Sequence, residues 1–161
     1  MQTQQVCYSS PAVAPDGTVV YGASGGGVAR ALQGEGGKVL WAHNLSLFGS
    51  TMGAITADGA HVILANHSGL GKLSVRTGEV VWSSAHESNI QSAAIVLDAA
   101  GTAWVTQGHG VSMTDAHGNT TNCDIADPDG SGYNSLVAAT IAADGVLLQL
   151  TIHGMMRALV G

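Results

Sequence analysis

The sequence predicts an all-β fold, a β-propeller of four-stranded antiparallel blades, and three observations carry that prediction. Gly37-Lys-Val-Leu-Trp41 returns as Gly78-Glu-Val-Val-Trp82, with the two tryptophans 41 residues apart. A strand-like period of about 40–50 residues is the signature of a propeller array. The turn glycines Gly17, Gly59, Gly101 and Gly145 follow one another at steps of 42, 42 and 44 residues, and each turn carries an aspartate (Asp16, Asp58, Asp98, Asp144). Aspartate and glycine tolerate positive φ, so such pairs between short apolar runs read as hairpins. Finally, only 10% of the residues are charged while 23 of 161 are glycine. Against a usual charged share of ~25%, this composition suits tightly turned β-structure rather than helices or disorder.

Each block repeats one order of elements. In the first, an inner strand (Pro11 to Ala14) leads through the Asp-Gly turn to a second strand (Thr18 to Ala23), a third (Val28 to Leu32) and an outer strand (Lys38 to His43). The second block reads Met52 to Thr56, His61 to Ala65, Lys72 to Val75 and Glu79 to Ser83. The outer-strand tryptophan has the size and shape to dock against the neighbouring blade. In the third block Asn122 stands at that position, so its outer strand, Asn119 to Cys123, is expected to be loose. The fourth block repeats the third-strand pattern, Gly154-Met-Met-Arg-Ala-Leu echoing Gly27-Val-Ala-Arg-Ala-Leu, and the chain ends at Gly161 before a fourth outer strand. The expected organisation is one domain, 1–161, with blades near 6–43, 50–84, 91–123 and 134–161, the last incomplete. It reads as a piece of a larger ring; the alternative is a small propeller with an open or swapped last blade. Open blade edges imply self-association.

Composition excludes several function classes. A net charge of −6 with five lysines and arginines provides no nucleic-acid footprint. No apolar run reaches the ~18 residues needed to span a bilayer. Met1-Gln-Thr-Gln-Gln-Val-Cys7 shows no basic segment leading into an apolar one, so no secretory signal is visible. Cys7 and Cys123 fit no metal-ligand spacing. They read as two buried free thiols, with one disulfide closing the array as the alternative.

Ser9-Ser-Pro-Ala-Val-Ala-Pro-Asp-Gly-Thr-Val-Val-Tyr21, Ala31-Leu32, Gly36-Gly-Lys-Val-Leu-Trp41 and Thr77-Gly-Glu-Val-Val-Trp82 resemble the pyrroloquinoline-quinone-like repeat of eight-bladed quinoprotein propellers. That family includes quinone-dependent dehydrogenases, outer-membrane assembly scaffolds, and sensor or adhesive domains without cofactor. The resemblance implies a periplasmic or extracellular setting. The dehydrogenases carry calcium, an aspartate base, a tryptophan floor and often adjacent cysteines. This chain has no Cys-Cys pair, and its tryptophans read as packing groups, so pyrroloquinoline quinone is not expected.

Among local motifs, Asp127-Pro-Asp129-Gly-Ser131-Gly-Tyr133 best matches a metal site. Side-chain oxygens at positions 1, 3 and 5, a glycine at 6 and a carbonyl at 7 suit calcium, although the glutamate of position 12 is replaced by Ala138. The plain reading is an acidic surface turn. His67, His109 and His153 fall in equivalent turns between the second and third strands, on one rim with the Asp127 loop. That rim is the expected surface for a protein or small-molecule ligand; the plain reading is three unrelated polar turn residues. His43, His61, His86 and His117 read as solvated edge residues. No nucleophile elbow, phosphate loop or His-Glu-x-x-His motif occurs. No catalytic residue is assigned. The expected function is a non-catalytic binding or scaffold module, the alternative a fragment of a calcium- and quinone-dependent dehydrogenase.

Overall fold

The structure, a computed structural model, describes residues 10–23, 28–44, 53–66, 69–85, 94–107, 110–124, 136–142, 146–151 and 156–159. Among these residues all regular structure is β-strand, and no helix is long and apolar enough to cross a membrane. Blade one contains β1 (Ala12–Val13), β2 (Val19–Ala23), β3 (Val28–Leu32) and β4 (Val39–Asn44). Blade two contains β5 (Gly53–Ile55), β6 (His61–Asn66), β7 (Gly69–Ser74) and β8 (Val80–Ala85), and blade three β9 (Ile95–Leu97), β10 (Ala103–Gln107), β11 (Gly110–Thr114) and β12 (Thr120–Asp124). Blade four contributes β13 (Leu136–Ile141), β14 (Leu147–Thr151) and β15 (Met156–Leu159). Every sheet is an antiparallel meander in sequence order, so the predicted propeller array is present, its last sheet three-stranded among the described residues. The first strands of the blades, β1, β5, β9 and β13, pack in succession along the inner edge of the array.

The core lies between blades rather than within them. Successive strand residues point to opposite faces of a sheet, and β6 uses both faces. Val62 and Leu64 join Ala12, Val20, Ala29, Ala31 and Trp41 in one cluster. Ile63 and Ala65 join Leu70, Ala103 and Val105 in another, flanked by Trp82, Ile95 and Leu97. A strand covered on both faces must be apolar without alternation, as Val62-Ile-Leu-Ala65 is.

Two strands depart from expectation. The third strand of blade two begins at Gly69, three residues before the predicted Lys72. Gly69-Leu-Gly71 reads as a turn in the sequence, yet it pairs with Asn66, Ala65 and Leu64. A Cβ at Gly69 would lie 2.1 Å from the Ser84 carbonyl oxygen, so that glycine serves close strand approach. The outer strand of blade three is not loose: Thr120 to Asp124 pair in unbroken register with Thr114 to Gly110. Its cross-blade contact is polar, since Thr120 Oγ1 lies 2.5 Å from Ser84 Oγ of blade two, and within the blade the same hydroxyl is 2.9 Å from Thr114 Oγ1. Cys123, expected buried, is exposed on this outer strand, as are Ala42 and Ser83 at the equivalent positions of blades one and two.

The turn aspartates explain the recurrence of Asp. Asp16 Oδ1 accepts from the Thr18 amide at 2.9 Å, and Asp58 Oδ1 accepts from the Ala60 amide and the Thr56 hydroxyl. Asp98 accepts from the Ala100 and Thr102 amides and, through Oδ2, from Trp104 Nε1 at 3.1 Å. Asp115 does the same in the next turn with His117 and Asn119. The Thr18 amide at Asp16, the Thr56 hydroxyl at Asp58 and the Asn119 amides at Asp115 hold these carboxyls below the usual range. Burial pushes Asp98 up, but its hydrogen bonds outweigh that and the net direction is also down. A carboxyl depressed in the folded state stabilises fully above its unfolded value, near ~3.9, and loses that contribution as pH falls through the lower folded value. The melting temperature is therefore expected to be flat above about pH 5 and to fall steadily toward about pH 2. Thermal melts across that series test it, and a flat profile would refute the role given to these turns.

Candidate binding groove

The groove starts from the way neighbouring blades are joined. On β4, Trp41 Nε1 donates to the Val75 carbonyl of blade two at 2.8 Å. On β8, Trp82 Nε1 donates to the Ala116 carbonyl of blade three at 3.0 Å. Both bonds span 34 residues, one latch repeated. Beneath each indole lies a glycine at positive φ: Gly78 (φ 74) under Trp41 and Gly118 (φ 92) under Trp82. The sheet register shifts beside each latch, between Ala31 and Leu32 in blade one and between Lys72 and Leu73 in blade two. Such a bulge kinks a strand and re-aims its side chains. The pairing of β11 with β12, where Asn122 replaces the tryptophan, shows no such shift.

His43 extends the first latch. Its ring lies 5.6 Å from that of Trp41 at 34°, and its Nε2 is 3.3 Å from the Thr77 carbonyl oxygen. The sequence reading of His43 as a solvated edge residue is thereby corrected. It is exposed, but it is a cross-blade contact.

Beside this latch, three turns enclose a groove of about 460 Å³, within the size range of small-molecule sites. Pro15 and Asp16 come from the first turn of blade one, Asp58 to His61 from the first turn of blade two, and Ser74 to Arg76 from its last turn. Gly59 sets their closeness, because a Cβ there would stand 2.8 Å from Pro15 Cδ. Trp41 ties down the Val75 wall. Asp16 and Asp58, both depressed by their hydrogen bonds, are carboxylates at neutral pH. Arg76 is exposed on the same groove and brings a positive charge. A general acid needs a carboxyl pKa raised toward the working pH, whereas these are shifted the other way. With two carboxylates and a guanidinium on its wall, the groove can engage a polar ligand through charge.

This groove sits at the end of the blades where the first and second strands, and the third and fourth, connect. Second and third strands connect at the opposite end, where the sequence reading puts His67, His109 and His153. Those histidines lie outside the described residues, as do Asp127, Asp129, Ser131 and Tyr133. Among the described residues no three His, Cys, Asp or Glu gather to hold a metal. All three tryptophans are committed, Trp41 and Trp82 to the neighbouring blades and Trp104 to Asp98. Asp16 and Asp58 were visible in the sequence as turn residues only. The repeat could have shown that consecutive first turns lie side by side; nothing local marked Arg76.

The family model described as "Outer membrane protein assembly factor BamB" matches residues 3–151. No curated protein sequence matches. Among solved structures, the computationally designed Ika4 protein is 17% identical at a TM-score of 0.74, covering 99% of this chain and 94% of that one. Streptogramin B lyase is 14% identical at a TM-score of 0.75, covering 98% of this chain and 56% of the lyase. The WD40 β-propeller domain of Doa1 is 13% identical at a TM-score of 0.72, covering 92% of this chain and 49% of that one. At these identities the likeness establishes the propeller fold alone. The chain spans about half the length of these two natural propellers.

Proposed function

This chain belongs to the pyrroloquinoline-quinone-like repeat family whose model is described as outer membrane protein assembly factor BamB, and from that membership we propose that it works as a non-catalytic binding and scaffold module. A propeller fold hosts many unrelated activities, so the reading rests on residue usage. One observation carries it: all three tryptophans and the four aspartates Asp16, Asp58, Asp98 and Asp115 are spent on turns and blade contacts. Among the described residues these side chains support the architecture, which favours a binding role over a redox one. Asp16 and Asp58 nonetheless also face the groove between blades one and two, where Arg76 adds a guanidinium, so that groove is the ligand surface this reading assigns.

The test is addition of pyrroloquinoline quinone and calcium, followed by absorbance and dye-coupled alcohol oxidation. The expected outcome is no stoichiometric quinone uptake and no oxidation above a protein-free control. Quinone bound at one equivalent would overturn the scaffold reading in favour of a dehydrogenase.

A further inference from the structure

We propose that the groove between blades one and two binds a free basic α-amino acid, such as arginine or lysine, through three separate charges. The proposal deepens the binding-module reading above and rests on it. The wall carries two carboxylates and one guanidinium, those of Asp16, Asp58 and Arg76. A basic amino acid carries the opposite set at neutral pH, two cations and one carboxylate. Its α-ammonium and α-carboxylate sit on one carbon, so they take the two groups of one blade. The carboxylate goes to Arg76, whose planar fork of N–H donors matches it, and the ammonium goes to Asp58. The side-chain cation then reaches across the blade interface to Asp16.

The walls are held in place by the fold itself. The Val75 amide donates to the Ala60 carbonyl at 2.9 Å and ties the two turns of blade two together. Trp41 Nε1 ties Val75 to blade one at 2.8 Å, and Gly59 brings its turn against Pro15. A preorganised site gives up less freedom on binding. Both aspartates hold their turns through Oδ1, Asp16 with the Thr18 amide and Asp58 with the Ala60 amide and the Thr56 hydroxyl. Oδ2 of each can accept from a ligand without undoing the turn. The repeat does not by itself demand such a groove. The tryptophan latch recurs between blades two and three, yet the arginine and the close approach do not. The place of Arg76 is taken by Glu35 in blade one and His117 in blade three, each 41 residues away. A Cβ on Gly101, the counterpart of Gly59, would approach only Ala116 of its own blade, at 4.0 Å, among the described residues. Cation and close approach are thus particular to this interface, where a ligand gives them a use that the array does not.

The test titrates the full chain with L-arginine and follows its backbone amide shifts, beside three analogues that each lack one charge. Agmatine has no carboxylate, N-acetylarginine no α-ammonium and norvaline no side-chain cation. Arginine is expected to shift the amides of residues 58–61 and 74–76, and each analogue to bind about tenfold more weakly. In Arg76→Ala, a change at an exposed residue, arginine weakens about tenfold while agmatine is unchanged, because it never engaged the guanidinium. Asp58→Asn and Asp16→Asn keep an Oδ1 acceptor for the turn and have the same selective effect, sparing N-acetylarginine and norvaline respectively. Should either aspartate variant not fold, the comparison of arginine with agmatine in Arg76→Ala decides. No shift in these turns at about 10 mM arginine, or equal binding of arginine and agmatine, would overturn the proposal. That failure removes the ligand class alone, since the binding-module reading falls only on quinone uptake, which is measured separately.

Discussion

Replacing Gly78 with alanine is expected to lower the melting temperature by about 9 °C, while the same change at Gly37 lowers it by about 3 °C. Both glycines close turns of the same hydrogen-bonded form and both have positive φ, 74 and 63. Each replacement therefore incurs the same left-handed backbone cost, about 1 kcal/mol. Only Gly78 has a roof. Its new Cβ would sit 2.6 Å from Trp41 Cδ2 and 2.5 Å from His43 Cδ2. Trp41 is 8% accessible and cannot retreat into solvent without breaking its bond to Val75 O. Displacing a packed side chain adds about 2 kcal/mol, which makes the Gly78 change roughly three times as costly as the Gly37 change. Paired thermal melts of the two variants check this. Equal losses would mean that the backbone conformation alone, and not the indole above it, governs this turn.

The sequence showed the latch as a landmark but not how it is wired. Gly78 and Trp82 look like one motif because they lie four residues apart on one turn and strand. They serve different interfaces: Gly78 receives Trp41 from blade one, and Trp82 goes on to Gly118 in blade three. Periodicity reveals that a unit repeats; the direction of its contacts depends on how blades stack, which no single block contains. The Asp-Gly turns were legible because their chemistry is local, an aspartate bonding amides two to four residues ahead. The groove was hidden for the opposite reason. Its residues come from three turns, each ordinary alone, and they become a site only when Pro15 and Gly59 meet. Gly69 misled in a third way, since glycine is read as a turn signal and here answers the close approach of β8.

Trp41→Ala is expected to cost about 4 kcal/mol, near the middle of the range for removing a large buried aromatic. Three losses combine. The indole leaves the cluster it shares with Ala31, Val62, Leu64, Leu73 and Val75, opening a cavity between blades one and two. The buried Val75 carbonyl loses its 2.8 Å donor and must find water or stay unpaired. His43 loses the ring it packs against. Trp41→Phe separates these effects in part, because it keeps an aromatic ring in the cluster while removing the N–H and the remainder of the indole, so about 2 kcal/mol is expected. Trp82→Ala should cost less than Trp41→Ala, since Trp82 is only half-buried and its strand keeps the Ser84–Thr120 hydroxyl contact to blade three. Denaturant unfolding of the three variants gives the order directly. If Trp41→Phe proves as damaging as Trp41→Ala, the hydrogen bond rather than the packed ring is the larger part of the latch; if Trp82→Ala is the worst of the three, the interface of blades two and three, not that of blades one and two, limits the stability of the array.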